Sequence, residues 1–251
     1  MDKKNGTVRE GTKGQVAELF GKISQILLAI VQGLNFDQLK WLIGHKAQLA
    51  KAIRDSVEAL VGKIQDLPDY LVWWQNFYRE EGVKIDFTSF EIPEKPEGDW
   101  WLILVASGMT YNQIIKIMRK KFKVWVYTED LDGAIDFSKE QRQATDKPYA
   151  VWVKANIEAD SELKNKSAND LGATLAITLL ERLLLEIFYF SSISSGNHLD
   201  IDTWTLCTGS RHLVGDVPFV YFDRSVGKVF VHWANPSIAN DLLRSRQVVS
   251  V

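Results

Sequence analysis

Along residues 15–32, apolar side chains recur every three or four positions: Val16, Leu19, Phe20, Ile23, Ile26, Leu27, Ile30 and Val31. That spacing predicts an amphipathic helix, which Gly33 ends. Residues 36–64 repeat the pattern with Leu39, Leu42, Ile43, Leu49, Ile53, Val57, Leu60, Val61 and Ile64, and Pro68 stops it. Two such helices joined by Leu34 and Asn35 predict a helical hairpin. A lone hairpin has a small core, so its apolar faces are also suited to pairing with another chain. Residues 69–80 are aromatic-rich and predict a third helical piece. The pattern changes at 91–99, EIPEKPEGD, whose prolines and glutamates predict a linker.

Beyond 99 the periodicities are mixed. Trp101–Ala106 is a continuous apolar run, a strand broken by Gly108. Thr110-x-x-Gln113 is a capping box opening a helix to about Lys121, and Lys123–Tyr127 alternates as a second strand. Residues 129–147 are polar loop. Tyr149–Ile157 predicts a strand, Ser167-x-x-Asp170 caps a short helix, and Leu175–Phe190 predicts a long one. Its apolar arc is wide enough to be buried against a sheet. Strand signals follow at Trp204–Cys207, Phe219–Phe222, Val229–Trp233 and Gln247–Val251, with Asp223–Gly227 linking the middle pair as a hairpin. The fold class expected is α+β, in three parts: a helical region at 1–95 for oligomerisation or attachment, a strand–helix–strand unit and loop at 96–145, and a C-terminal domain at 146–251.

Composition changes this picture little. With 251 residues and 46% hydrophobic content the chain can build a substantial core. A net charge of −2 gives no global attraction to nucleic acid, and the run Arg119, Lys120, Lys121 reads as a solvated helix end. One cysteine, Cys207, excludes an internal disulfide. No apolar run reaches membrane-spanning length and no signal peptide is visible, so the default expectation is a cytoplasmic protein, with surface display left open.

The most informative stretch is Thr205–Val251. Residues suited to turns and anchors (Gly209, Ser210, Arg211, Gly215, Pro218, Gly227, Trp233, Pro236, Arg244, Arg246) alternate with positions that obey no burial pattern. The segments YAVWVKANIEADSELKNKSAN, ITLLERLLLE, HLDIDTWTLCTGSR, GDVPFVYF and VHWANPSIANDLLRSRQVVS resemble bacterial variable proteins of diversity-generating retroelements, over about residues 100–251. In such systems a reverse transcriptase copies a template with errors at adenines into the 3′ end of a target gene. The resemblance implies a C-terminal C-type lectin-like domain, with two helices and short, mostly antiparallel strands. Its first and last strands (Tyr149–Ile157 and Gln247–Val251) would pair. It also implies a surface that binds a protein or another macromolecule, with no cofactor and no catalysis. The implied ligand-binding positions are His212, Leu213, Val214, Asp216, Phe219, Tyr221, Phe222, Asp223, Arg224, Ser225, Phe230, His232, Ala234, Asn235, Ser237, Ile238, Asn240, Asp241 and Leu242. Randomised asparagine codons can never yield Lys, Glu, Gln, Met or Trp, and none of these positions holds one. Phe222 departs from the pattern, which calls for a framework tryptophan there.

Alternation in the Phe219–Phe222 and Val229–Trp233 segments sharpens the expectation. Phe219, Tyr221, Phe230 and His232 share one strand face, opposite Val220, Val229 and Val231. With the valines inward, the aromatics form an outward patch suited to recognition. The alternative is a sheet buried on both sides, the aromatics packed under another domain.

Other chemistry reads less sharply. His198, Asp200 and Asp202 alternate on a possible strand and suit a metal, although a polar strand edge is the preferred reading. Cys207 with His212 or His232 is a candidate nucleophile–base pair, set against a buried structural thiol. Asn235-Pro236-Ser237 lacks the carboxylate of a lectin calcium loop, so no metal is expected. Arg211, Arg244 and Arg246 are expected to bridge loop carbonyls and carboxylates such as Asp200, and Trp204 and Trp233 to be core. The competing functions are an enzyme using His198, Asp200, Asp202 and Cys207, or a structural assembly subunit.

Overall fold

The structure is a computed structural model describing residues 13–46, 48–53, 55–56, 70–87, 90–145, 147–171, 176–194 and 196–251. It divides into two compact units, 1–67 and 68–251.

In the first unit, helix α1 spans Lys13–Gln32 and α2 spans Phe36–Gly44. Asn35 caps α2 reciprocally: it accepts from the Gln38 amide, and Gln38 returns a bond to the Asn35 amide, both at 3.0 Å. The second helix is not the unbroken run expected over 36–64. It stops at His45, whose ring stacks on Trp41, and helical backbone resumes at Lys46. Val57, Leu60, Val61, Ile64 and the stop at Pro68 lie outside the described residues. Ile26, Ile30, Phe36, Trp41 and Ile43 are exposed.

The second unit is α+β, with two sheets. β1 (Trp100–Val105), β3 (Tyr149–Lys154) and β8 (Val248–Val249) form an antiparallel sheet in the order β1-β3-β8. The strand near the C-terminus thus lies beside β3, with Trp152 opposite Val249. The larger sheet runs β2-β6-β5-β4-β7. Its strands are β2 (Val124–Val126), β4 (Trp204–Leu206), β5 (Val217–Asp223), β6 (Lys228–Ala234) and β7 (Leu243–Arg244). β2 pairs with β6 and β4 with β7 in parallel, and the remaining pairs are antiparallel.

The 96–145 segment gives one strand to each sheet, β1 to the first and β2 to the second, so it is part of the body formed with the C-terminal strands. Helix α3 (Tyr70–Glu80) belongs to the same unit. Its Trp74 Nε1 and Tyr78 Oη donate to the β1 carbonyls of Leu102 and Leu104 at 2.8 and 2.5 Å. Nor is 91–99 a free tether: Pro93 is buried, and its carbonyl accepts from Trp152 Nε1 at 2.8 Å.

Helix α4 (Tyr111–Lys121) starts at Thr110, which accepts from the Gln113 amide at 3.2 Å. Asp132 completes the cap by accepting from the Tyr111 and Asn112 amides. The short α5 (Ala168–Leu171) has the expected Ser167–Asp170 box in both directions. The long apolar helix begins later than expected: α6 spans Leu179–Phe188, and Leu175 lies outside the described residues. The reason is local. Thr178 and Glu181 form a reciprocal capping box, while Ala176 is held extended by a bridge to Gln247. Every residue of α6 is buried, and it packs against β1, β5 and α4. No helix among the described residues is long and apolar enough to cross a membrane.

Candidate functional site

The five-stranded sheet sorts its side chains as period-two alternation requires. Val220, Val229, Val231 and Trp233 face inward and are buried in the main core. On the outer face the β5–β6 register sets Phe219 opposite His232 and Tyr221 opposite Phe230. These cross-strand pairs stack, with ring centroids 5.4 and 5.3 Å apart and interplanar angles of 21° and 13°.

The row is longer than the tail alone implies. Trp125 of β2 lies opposite Phe230 and packs 5.4 Å from both Phe230 and His232. Tyr127 adds a ring 5.2 Å from His232, and Trp204 of β4 stacks on Phe219 at 5.3 Å. An aromatic surface therefore crosses from β2 to β4. Trp125 and Tyr127, 37% and 59% exposed, were missed by the sequence reading. The signal existed: the alternation over Lys123–Tyr127 puts both rings on one face. Trp204 was expected in the core, and instead it joins a small outer-face cluster with Phe219, Leu206, Val217 and Leu243. Packing under that cluster leaves Phe219 only 8% exposed, so it is largely covered. Trp233 is core, as expected.

The remaining ligand-binding candidates fall into three groups. Leu213, Val214, Arg224, Ser225, Ser237, Ile238, Asp241 and Leu242 are exposed on loops, with His212 and Asp216 half-buried beside them. Asp223, Asn235 and Asn240 hold turns: their side-chain oxygens accept from the amides of Ser225, Ser237, and both Leu242 and Leu243. Phe222 does not join the outward row, whereas Ala234 lies on the outer face opposite Val217, buried in the same small cluster as Phe219. Phe222 lies on the inner face, stacked on His198 with centroids 3.9 Å apart, because its parity along β5 is that of Val220.

The candidate metal trio is not assembled. Residues 198–202 form no strand, since Asp200 adopts a left-handed backbone (φ 51°). Asp202 is exposed while Asp200 is fully buried. No group of three His, Cys, Asp or Glu among the described residues is placed to hold a metal. Cys207 is buried, its Sγ donates to the Thr205 carbonyl at 3.7 Å, and burial pushes its thiol pKa up, which disfavours the thiolate a nucleophile needs. The two histidines proposed as its base lie elsewhere: His212 packs against Trp233, and His232 sits in the aromatic row.

Those polar residues instead build an anchor. Asp200 accepts from Arg182 Nε of α6 at 2.9 Å, from Arg246 Nη2 at 2.6 Å, and from Thr205 Oγ1. Arg182 continues to Glu186 at 2.7 Å, and Glu186 lies 2.8 Å from His198 Nδ1. Arg246 also donates to the carbonyls of Asn156 and Ile157, each at 2.8 Å. Arg211 donates to the Thr208 and Ser210 carbonyls, and Arg244 to that of Ala159. All three tail arginines are thus structural bridges. The tail's framework is bolted to α6 from within while its outer groups stay clear of that network.

No protein-family model, curated protein or solved structure matches the chain.

Proposed function

We propose that this chain is a ligand-binding protein whose C-terminal segment displays a diversified surface on a C-type lectin-like domain, as in the variable proteins of diversity-generating retroelements. The observation that carries this reading is the division of labour across the five-stranded sheet. Aromatics line the outer face, the buried anchor holds the backbone from the inner one, and further candidate positions stand exposed on the connecting loops. The strand order and the β3–β8 pairing are compatible with the lectin-like reading.

The favoured partner is a protein. Tyr221 stacks on Phe230 and Phe219 on His232, so neighbouring rings take up part of one another's faces. A sugar ring or a base would need open ring faces, whereas ring edges and exposed aliphatics suit a protein surface. The exposed apolar residues of α1 and α2 support oligomerisation through that unit, which would make weak single sites multivalent.

The test is a library in which Leu213, Val214, Arg224, Ser225, Ser237, Ile238 and Asp241 are randomised together on displayed protein. Most members are expected to fold, and selection against unrelated proteins to yield specific binders. A library dominated by unfolded members overturns the reading. So does flanking DNA that lacks both a reverse transcriptase gene and an adenine-mismatched copy of the 3′ coding segment.

A further inference from the structure

The aromatic face is charged at one end. Val124 of β2 lies beside Val229 of β6, so Lys123 and Lys228 are neighbours one residue earlier, where the Val229 amide donates to the Lys123 carbonyl at 3.0 Å. Their parity is that of Trp125 and Phe230, which puts both lysines on the outer face. Lys123 is exposed and Lys228 half-buried. With Arg119, Lys120 and Lys121 from the end of α4 they line a shallow groove, and no carboxylate among the described residues lines it.

Not all of these cations call for a ligand. Arg119 pairs with Glu129 at 2.7 Å and Lys120 with Glu81 at 2.5 Å. Cations in a helix's last turn also offset its carbonyl end. That accounts for the α4 group and leaves Lys123 and Lys228, which stand on neighbouring strands where like charges repel. Neither has an ion-pair partner among the described residues. The acid that register sets opposite Lys228 is Asp223, whose carboxylate is taken by the amide and hydroxyl of Ser225. Two unbalanced cations thus border a row of rings in which Trp125 is 37% and Tyr127 59% exposed.

These residues also differ in kind from the candidate variable positions. Lys123, Trp125 and Tyr127 lie before the tail, and lysine at 228 is a type that a randomised asparagine codon cannot produce. On the reading proposed above, on which this inference rests, they stay constant while the loops vary. We propose that Lys123, Lys228, Trp125 and Tyr127 form a constant sub-site of the binding face, fitted to an acidic protein partner that borders an apolar patch with glutamates or aspartates. The rings take the apolar contact, and the lysines select the partner by charge and speed its encounter. A nucleic-acid strand fits less well. It needs cations along the whole path of its backbone, whereas here they stop at one end, and the cluster around Trp204 at the other is apolar.

The test uses the displayed library described above, in the full chain, on three frameworks: the parent, Lys123→Glu with Lys228→Glu, and Lys123→Gln with Lys228→Gln. Each is selected against one small target protein made in two forms, its apolar patch ringed by glutamates or by lysines. The varied positions can take either charge, so a preference must come from the constant residues. The parent framework is expected to yield binders to the acidic form about tenfold more often than to the basic form, the Gln framework about equally, and the Glu framework the reverse. Should the Glu framework not fold, the Gln framework carries the comparison. Trp125→Ala should weaken binders about tenfold whatever their loop sequences.

Equal recovery of both forms on the parent framework overturns the inference and leaves the diversified surface standing. A preference that persists on the Gln framework does the same, as does a Trp125→Ala change that leaves every binder unaltered. A library dominated by unfolded members overturns both. Saturable retention of labelled oligothymidylate by the parent chain, lost on the Gln framework, identifies the anion as nucleic acid and overturns the protein assignment.

Discussion

On β6, Val231 is fully buried against the main core, while His232, the next residue, stands half-buried in an outward row of rings. The same contrast runs through β5, where Val220 faces α6 and Tyr221 faces out. The inner face is held by both apolar packing and a buried ionic anchor, and the outer face by rings stacked on one another. Shape and surface chemistry are thus assigned to opposite sides of one sheet. Substitutions on the inner side should change whether the chain folds, and substitutions on the outer side what it touches. The anchor should give the largest effect. Asp200→Ala leaves the guanidiniums of Arg182 and Arg246 buried without their shared carboxylate, and should destabilise the protein by about 3–5 kcal/mol in urea unfolding. A loss below about 1 kcal/mol would show that the inner face keeps its form without the anchor.

Adjacent residues give a closer contrast. Val231→Ser removes a buried aliphatic and inserts a hydroxyl, at a cost of about 3 kcal/mol. His232→Ser should cost less than about 1 kcal/mol, because the site is half open. Phe219→Ser should fall between them at about 2 kcal/mol, since its ring covers Leu206, Val217 and Leu243. Equal losses at 231 and 232 would dissolve the distinction between the two faces.

Much of this division was legible in the sequence, because period-two alternation needs no tertiary information. The valine and aromatic parities of 219–232, the Asp223–Gly227 turn and the Ser167–Asp170 box all follow from local spacing. Long-range effects were not legible. Nothing in WWLILV states that β1 will receive the indole of Trp74 and the hydroxyl of Tyr78. The alternation of His198, Asp200 and Asp202 suggested a strand, whereas partners distant in sequence, Arg182 and Arg246, draw Asp200 inside on a left-handed backbone. The outer-face aromatics outside the tail were overlooked for a related reason. Which segment lies beside β6 is settled by pairing, and the parallel partner β2 comes from about a hundred residues earlier.

The smallest expected effect is the most telling. Leu213 and Val214 are 60% and 76% exposed, at the tip of a turn whose form is set by its main chain. The His212 amide donates to the Asp216 carbonyl at 2.8 Å, the Gly215 amide to the His212 carbonyl at 2.8 Å, and the Leu213 amide to Ala134 at 2.9 Å. Gly215 supplies the positive φ of 95° that the turn requires. None of these bonds uses the side chain of 213 or 214. Replacing both with Asp, Ser or Tyr should therefore shift stability by no more than about 0.5 kcal/mol in either direction, read as the thermal midpoint. Gly215→Val, in the same turn, should shift it by more, because a β-branched residue resists positive φ. If the pair at 213 and 214 proves as sensitive as Gly215, their side chains are holding the turn in place, and the outer surface lacks the freedom to vary that separates it from the anchored inner face.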